Sequence, residues 1–259
     1  MSASSLKGAG QGNERFNDEA AAWDSNPFVH AMSLEAWKAI RTFVPHLFCG
    51  PGAESARPDV LEIGCGTGLL SLETAPAANR LVAVDAAQGM IDVLSSKLGQ
   101  PGAPNNVTPL AILLEDPEDQ RLPPADDANP QGPRLKYDLI TSHLVLHHIA
   151  DLEGVLRTML GCLKEGGTVA LTDFEDFGPE ARRFHPESKM EGVERHGINR
   201  EWMAGLMREV GFKDVRVEVG WEHEKMVEKF PGEFKGAKPG EGEGELMKFS
   251  YVICLGKKG

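Results

Sequence analysis

The stretch Asp59 to Leu72, Asp-Val-Leu-Glu-Ile-Gly-Cys-Gly-Thr-Gly-Leu-Leu-Ser-Leu, constrains this chain more than any other. Val60, Leu61 and Ile63 make the apolar run of a buried strand, and the alternate glycines Gly64, Gly66 and Gly68 break it before a helical pattern begins. Glycine admits positive φ and leaves the backbone bare, so a ligand can approach the turn closely. The helix that follows turns free N–H groups and the positive end of its dipole toward that ligand. The pattern reads as a nucleotide-cofactor loop. A dinucleotide fingerprint, Gly-x-Gly-x-x-Gly, needs its third glycine at position 69, but Leu69 stands there and the glycine comes one residue early. That spacing disfavours a dehydrogenase. The bland alternative is a tight strand-to-helix turn with no ligand.

At 259 residues and 41% hydrophobic content the chain can bury one substantial core, which points to a single α/β domain with added segments. Its 39 acidic and 27 basic residues give a formal charge of −12, which repels a phosphate backbone and argues against nucleic acid as a partner. Cys49, Cys65, Cys162 and Cys254 are scattered and form no Cys-x-x-Cys pair, as expected of free thiols in a reducing compartment. The start carries no apolar signal core, and no run approaches the roughly 20 apolar residues of a membrane span. A cytoplasmic protein with no membrane contact is expected, with monomer and homodimer both open.

The following strand, Arg80 to Val84, ends in Asp85, roughly 20 residues past the first glycine, where a nucleotide-binding βαβ unit places the carboxylate that accepts from ribose hydroxyls. Val107 to Leu114 reads as a third strand and Lys136 to Ser142 as a fourth. The fourth opens into Ser142-His143-Leu144-Val145-Leu146-His147-His148. Imidazole is the side chain best suited to take a proton near neutral pH, and in a parallel sheet these three histidines fall at the edge that opens toward the ligand. His143, His147 and His148 are therefore the candidate bases, against the plainer reading that one or more only hydrogen-bonds the turn. No second ligand pair of matching spacing lies nearby, so no metal is expected.

Leu61-Glu62-Ile63-Gly64-Cys65-Gly66-Thr67-Gly68 resembles the first motif of class I S-adenosylmethionine-dependent methyltransferases. It is similar to the small-molecule type found in ubiquinone and menaquinone biosynthesis. Asp138 and the later His-His resemble a further motif of that family, and Arg15-Phe16-Asn17 to Ala22-Trp23-Asp24 resembles its N-terminal cap helix. The resemblance implies a seven-stranded Rossmann-like α/β sheet, mostly parallel with an antiparallel last strand, helices on both faces, and cap helices before it. It implies S-adenosyl-L-methionine as cofactor and a small-molecule acceptor. It also implies cofactor contacts from Glu62, Gly64, Cys65, Gly66 and Gly68, from Asp85 with Ala86 beside it, and from Met90 on the adenosine. Asp116, with Glu115 as the close alternative, falls where the family accepts from the adenine amino group, and Ser142 faces the methionine end. Asp173, Phe174, His185 and His196 are substrate-side candidates because the long loop after the fifth strand leaves the same sheet edge, and Trp23 joins them through the cap-helix resemblance, with core packing as its plainer reading. A SAM-binding partner without turnover, or less readily a nucleotide-dependent oxidoreductase, is the alternative function.

The rest of the chain divides accordingly. Residues 1–12 have the composition of a disordered tail, and 13–50 hold the cap helices, Glu14 to Trp23 and Ser33 to Leu47, the second begun by Ser33 as N-cap. Residues 58–259 form the cofactor domain, interrupted by an exposed insertion at 120–134 and a mobile loop at 229–245. Within it, Leu152 to Leu163 is helical, Gly166-Gly167 ends that helix and Thr168 to Thr172 is the fifth strand. Arg200 to Val210 is a helix capped by Asn199, and Val215 to Val219 and Phe249 to Leu255 close the sheet.

Overall fold

In a computed structural model of the chain, the described residues are 11–48, 57–234 and 244–259. Two helices, α1 (Gln11–Trp23) and α2 (Pro27–Phe43), precede an alternation of β1 (Asp59–Ile63), α3 (Leu69–Thr74), β2 (Arg80–Asp85), α4 (Gln88–Leu98) and β3 (Val107–Ala111). There follow β4 (Tyr137–His143), α5 (Leu152–Cys162), β5 (Leu163–Phe174), α6 (Arg200–Val210), β6 (Lys213–Val227) and β7 (Glu245–Lys257). The seven strands lie in the order β3-β2-β1-β4-β5-β7-β6, all parallel except β7, which runs antiparallel to both neighbours. The order reverses between β1 and β4, which pair Leu61 with Ile140, and that crevice is where an open α/β sheet holds its ligand.

All five residues of β1 are buried, as expected of a strand covered on both faces. Successive residues feed opposite cores. Leu61, Val82 and Ile140 pack with Leu156, Met159, Met203 and Met207 of α5 and α6, while Val60, Leu81 and Leu139 pack with Ala36, Trp37 and Ile40 of α2 and Leu94 of α4. So α2 is a covering layer of the sheet itself. At the opposite edge Lys164 Nζ pairs with Asp59 (2.9 Å) and Asp138 (2.8 Å), which ties the strand starts together and places Asp138 far from the ligand crevice.

Several boundaries differ from the sequence reading. Helix α2 begins at Pro27, because Asn26 accepts from Phe28 N and proline suits the first helical position; Ser33 is buried inside the helix. Strand β3 stops at Ala111, since β2 ends at Asp85 and offers no partner beyond the Ile112 N–H to Asp85 bond. Gly166 and Gly167 do not terminate α5; they lie within β5, with Gly166 at φ +75° beside an irregular register against β4. The β6–β7 ladder extends to Val227 and Glu245, well past the expected Val219 and Phe249.

The expected tail lies mostly outside the described residues, although Gln11 and Gly12 already belong to α1. Of the expected mobile loop, residues 235–243 also lie outside them, whereas Lys229 to Phe234 fold back on Glu228, whose carboxylate accepts from the main chain of Gly232 and Phe234. In the 120–134 insertion Ala125 to Gln131 are exposed, but Leu122 joins the core and buried Arg134 donates to the carbonyls of Leu122 and Pro130. Cys65, Cys162 and Cys254 are buried free thiols; Cys49 lies outside the described residues. Among the described residues no helix is long and apolar enough to cross a membrane.

Candidate active site at the sheet switch point

The end of β1 is shaped by main chain. Gly64, Gly66 and Gly68 all take left-handed φ of +72°, +54° and +82°. A Cβ at Gly64 would stand 2.4 Å from Val145 Cγ2, and one at Gly68 2.3 Å from Leu94 Cδ1, whereas one at Gly66 would meet nothing within 4 Å. The loop is therefore packed tightly at its two ends and open at its middle, where a ligand can lie against bare backbone. Asp85 bridges this loop to the next: Gly66 N donates to Oδ2 and Ala87 N to Oδ1, each at 2.8 Å. Burial raises its pKa, and those two bonds oppose the rise. Beneath it Glu62 is fully buried and accepts from Ser71 Oγ at 2.7 Å; burial pushes its pKa up to about 8, with Asp85 adding to the rise. Helix α3 has only six residues, so its dipole contributes little and the cradle rests on the glycines and Asp85.

Around this cradle the other cofactor-side candidates separate. Cys65 is buried and its thiol pKa is driven up by burial; Ala86 is half-exposed. Met90 is 2% exposed and packs with Ala20 and Ala87, flanked by Phe16 and Trp23, so it joins α1 to α4. Glu115 and Asp116 are both exposed; Asp116 Oδ1 accepts from Glu118 N, and the Glu115 carbonyl accepts from Thr158. Leu113, just before them, is 47% exposed between buried Ile112 and Leu114, an apolar side chain on the outward side of that alternation.

The end of β4 is shaped by side chains. Ser142 is fully buried and its Oγ has no hydrogen-bond partner among the described residues. His143 Nδ1 lies 2.9 Å from Thr172 Oγ1, and burial pushes its pKa down to about 4. Leu144 then takes φ +55°, a left-handed conformation costing about 1–2 kcal/mol in a non-glycine residue. That strained turn delivers Val145 onto Gly64 and leads into a short 3-10 turn, Leu146–His148. Arg195 holds this turn, donating to the carbonyls of Leu146 and Ile149, while Glu194 N and Arg195 N both donate to the His147 carbonyl.

His147 and Asp173 are 2% and 0% exposed, and the imidazole Nδ1 lies 2.8 and 3.0 Å from the two carboxylate oxygens. The carboxylate fixes Nδ1 as the donor and leaves Nε2 as an acceptor with no partner among the described residues. His148 Nδ1 donates to the Gly192 carbonyl at 2.7 Å, and burial pushes its pKa down to about 3. His185, 37 residues further on, brings its ring within 5.0 Å of His147 and 5.8 Å of His148 (ring centroids), and burial holds it well below the usual range for histidine. Phe174 stacks on Phe184 beside them. Among the described residues His196 has a buried Nδ1 without partner and shares no ring contact with the trio.

Helix α1 lies over this edge. Phe16 meets His148 edge-on at 5.2 Å and Trp23 at 6.1 Å, Asn17 accepts from Gly89 N, and Arg15 donates to the carbonyls of Lys189 and Glu191. Asp24 accepts from Thr67 Oγ1 at 2.6 Å and pairs with Lys97. Sequence reasoning missed this latch, because no motif links residue 24 to the glycine loop. It also missed Trp221, which stacks on Tyr251 beside His143, and Lys225, which lies 3.7 Å from the Phe184 ring centre with its pKa pushed down to about 7 by burial. Both lie beyond Val219, where the sequence reading ends this strand. Two grooves of about 490 and 520 Å³, one lined by Glu175 and Arg200 and the other by His46 and Asp214, touch neither the glycine loop nor His143, His147, His148 and His185.

A sheet of this order, with an antiparallel seventh strand and a glycine loop facing Asp85 at the switch point, defines the class I SAM-dependent methyltransferase fold. The profile of the family described as "Methyltransferase domain" matches residues 30–217, and the chain belongs to that family. Among curated relatives it is 28% identical over 141 residues (53% of this chain, 47% of the relative) to an uncharacterized methyltransferase of Schizosaccharomyces pombe. It is 29% identical over 162 residues (60% and 59%) to the ubiquinone biosynthesis O-methyltransferase of Rhizobium rhizogenes. The chain spans roughly half the length of the curated relatives it matches. The YcgJ protein of Bacillus subtilis has the same fold, with a TM-score of 0.58 at 17% identity, covering 85% of this chain and 98% of that one.

Proposed function

We propose that this protein transfers a methyl group from S-adenosylmethionine to a small-molecule acceptor bound against the histidine side of the crevice. The observation that carries the reading is the buried His147–Asp173 pair, set one strand away from an open glycine loop. When bound, the cofactor supplies an electrophilic methyl on a sulfonium sulfur. In support, a Bradyrhizobium japonicum N-methyltransferase of the same fold is described in complex with S-adenosyl-L-homocysteine.

The glycine backbone and Asp85 hold the nucleoside in this reading, with Leu113 as an apolar platform and Asp116 or Glu115 at the base. The Ser142 turn faces the methionine end. On the acceptor side the chain's task is orientation and exclusion of water, which supply most of the acceleration for an in-line transfer. His147 Nε2 takes the acceptor's proton, and Asp173 stabilises the imidazolium that results. Helix α1 closes over both. The net charge of −12 and the absence of a long apolar helix among the described residues support a small acceptor over nucleic acid or a membrane surface, and the buried thiols suit the cytoplasm.

The test is a transfer assay with methyl-labelled cofactor over small phenols, carboxylates, amines and thiols. Label should move to one of these classes and fail to move in His147→Ala. Tight cofactor binding with no transfer to any of them would sink the enzyme reading and leave a SAM-binding partner protein.

A further inference from the structure

We propose that His147, His148 and His185 together bind one divalent transition-metal ion of the zinc class. Each offers one ring nitrogen, and these nitrogens all lie within 4.8 Å of one another. Two of the three rings are already oriented as metal ligands are. His147 gives its Nδ1–H to a carboxylate and His148 gives its own to a backbone carbonyl, so in both Nε2 is the free lone pair. Such outer bonds fix tautomer and ring plane before any ion arrives.

Two further observations point to a ligand. His147 Nε2 and His185 Nδ1 are buried with no partner among the described residues, an arrangement that costs about 1–3 kcal/mol for each polar atom left unmet. A neutral imidazole ligates through whichever ring nitrogen carries no hydrogen. Neutral imidazoles favour zinc, copper, nickel or iron over magnesium or calcium, which take oxygen ligands. Nitrogens around a tetrahedral zinc stand about 3.4 Å apart. The trio must therefore contract by at most about 1.4 Å at its widest pair, and half-exposed His185 can supply the movement.

Three protein ligands leave a fourth position open. Arg15 lies near enough to act on His185, and its positive charge favours an anion in that position; Lys225 lies there too, its charge weakened because burial pushes its pKa down to about 7. Resting on the proposed methyl transfer, the geometry assigns that position to an acceptor with an ionisable oxygen or sulfur; with the ion bound, His147 Nε2 is a ligand and no longer the base, and the ion would instead lower the acceptor's pKa so that its proton leaves to solvent.

The experiment is a titration of the full chain, freed of metal, with Co²⁺, read by the visible bands of a four-coordinate site, followed by displacement with Zn²⁺. One equivalent should bind, Zn²⁺ should displace it and Mg²⁺ should not. His185→Gln should weaken Co²⁺ binding at least about 100-fold, and Asp173→Asn, which touches no ion, about 10- to 100-fold. His148→Gln is the second ligand variant should His185→Gln melt. Calorimetry with S-adenosylmethionine on the same samples separates the outcomes. Cofactor binding without Co²⁺ binding, or ligand variants that bind Co²⁺ like the wild type, overturns the metal site and leaves the methyltransferase reading standing. Failure of the cofactor to bind overturns that reading, whatever the metal does.

Discussion

At the end of β1 the groups that face the crevice are main chain, held by three left-handed glycines and one carboxylate within a single βαβ unit. At the end of β4, one strand away, they are side chains drawn from β4, β5, the 3-10 turn ending at Phe184 and, beyond the sheet, α1. The first region has open space at Gly66 and its carboxylate satisfied by the chain itself. The second is close-packed, with buried polar atoms at Ser142, His143, His147 and His185 that have no partner among the described residues. The comparison teaches a division of labour. In the proposed reading the cofactor is met by main chain that the three glycines leave bare, while the acceptor is met by side chains, which can differ between proteins of one fold.

The largest effect that would break this comparison is on the side-chain region. His147→Ala or Asp173→Asn should lower turnover by about 10²–10⁴, with cofactor affinity little changed. Steady-state kinetics beside calorimetry would show it, and a near wild-type rate in both variants would return His147 to a purely structural role. The backbone region should answer differently. Gly64→Ala forces a Cβ against Val145 at a left-handed φ and should cost about 2–4 kcal/mol of stability in chemical denaturation. Gly66→Ala, with open space around its Cβ, should cost only about 1–2 kcal/mol yet weaken cofactor binding. If Gly66→Ala binds the cofactor normally, the ligand does not lie on that backbone.

Asp85→Ala should weaken S-adenosylmethionine binding by about 1.5–3 kcal/mol, the range for a lost hydrogen bond to a charged group. Unchanged calorimetry would remove Asp85 from the ribose. Glu62 supplies a pH test beneath the same loop. Its pKa in the fold is about 8, against an ordinary value of 4.5, so between those limits the native state holds a proton that the unfolded chain has released. Stability should fall as pH rises through that window, by at most about 1.4 kcal/mol per pH unit, and Glu62→Gln should flatten the slope. A wild-type slope across the window no steeper than that of Glu62→Gln would show that Glu62 is ionised in the fold.

Legibility follows the same division. The glycine loop, Asp85 and the strand order around them could be read because their residues are contiguous or set at fixed spacing in one βαβ unit. The histidine turn was visible too, but not its partners: Asp173 meets His147 only because β4 and β5 are neighbours, and His185 arrives through a loop with no periodicity. The extension of β6 was hidden because Glu222, Glu224 and Lys225 mask the alternation that places Trp221 and Val227 inward. Met90 was ambiguous in the sequence, since a helix residue against the cofactor and one against a cap helix are both apolar; here it packs against Ala20 of α1. Arg134 defeated composition altogether, because a buried guanidinium bound to backbone carbonyls makes a core for a polar insertion.

The smallest effect concerns the latch that joins the two regions. Asp24 holds the α1–α2 elbow to Thr67 of the glycine loop and to Lys97 of α4, so the cap and the cofactor loop share one carboxylate. Both partners of the ion pair are partly exposed, and Asp24→Ala should cost only about 0.5–1 kcal/mol of global stability. Its local effect should be larger than its global one. If α1 opens as a unit over the crevice, losing the latch shifts that opening equilibrium directly, and amides from Phe16 to Trp23 should exchange with solvent several-fold faster while those of β1 and β4 do not change. Asp24→Asn separates the contributions, since it keeps an acceptor for Thr67 and removes the charge from Lys97. Hydrogen exchange in α1 that stays as slow as in the strands, in both variants, would mean that the helix is a fixed wall of the site and that acceptors enter by another route.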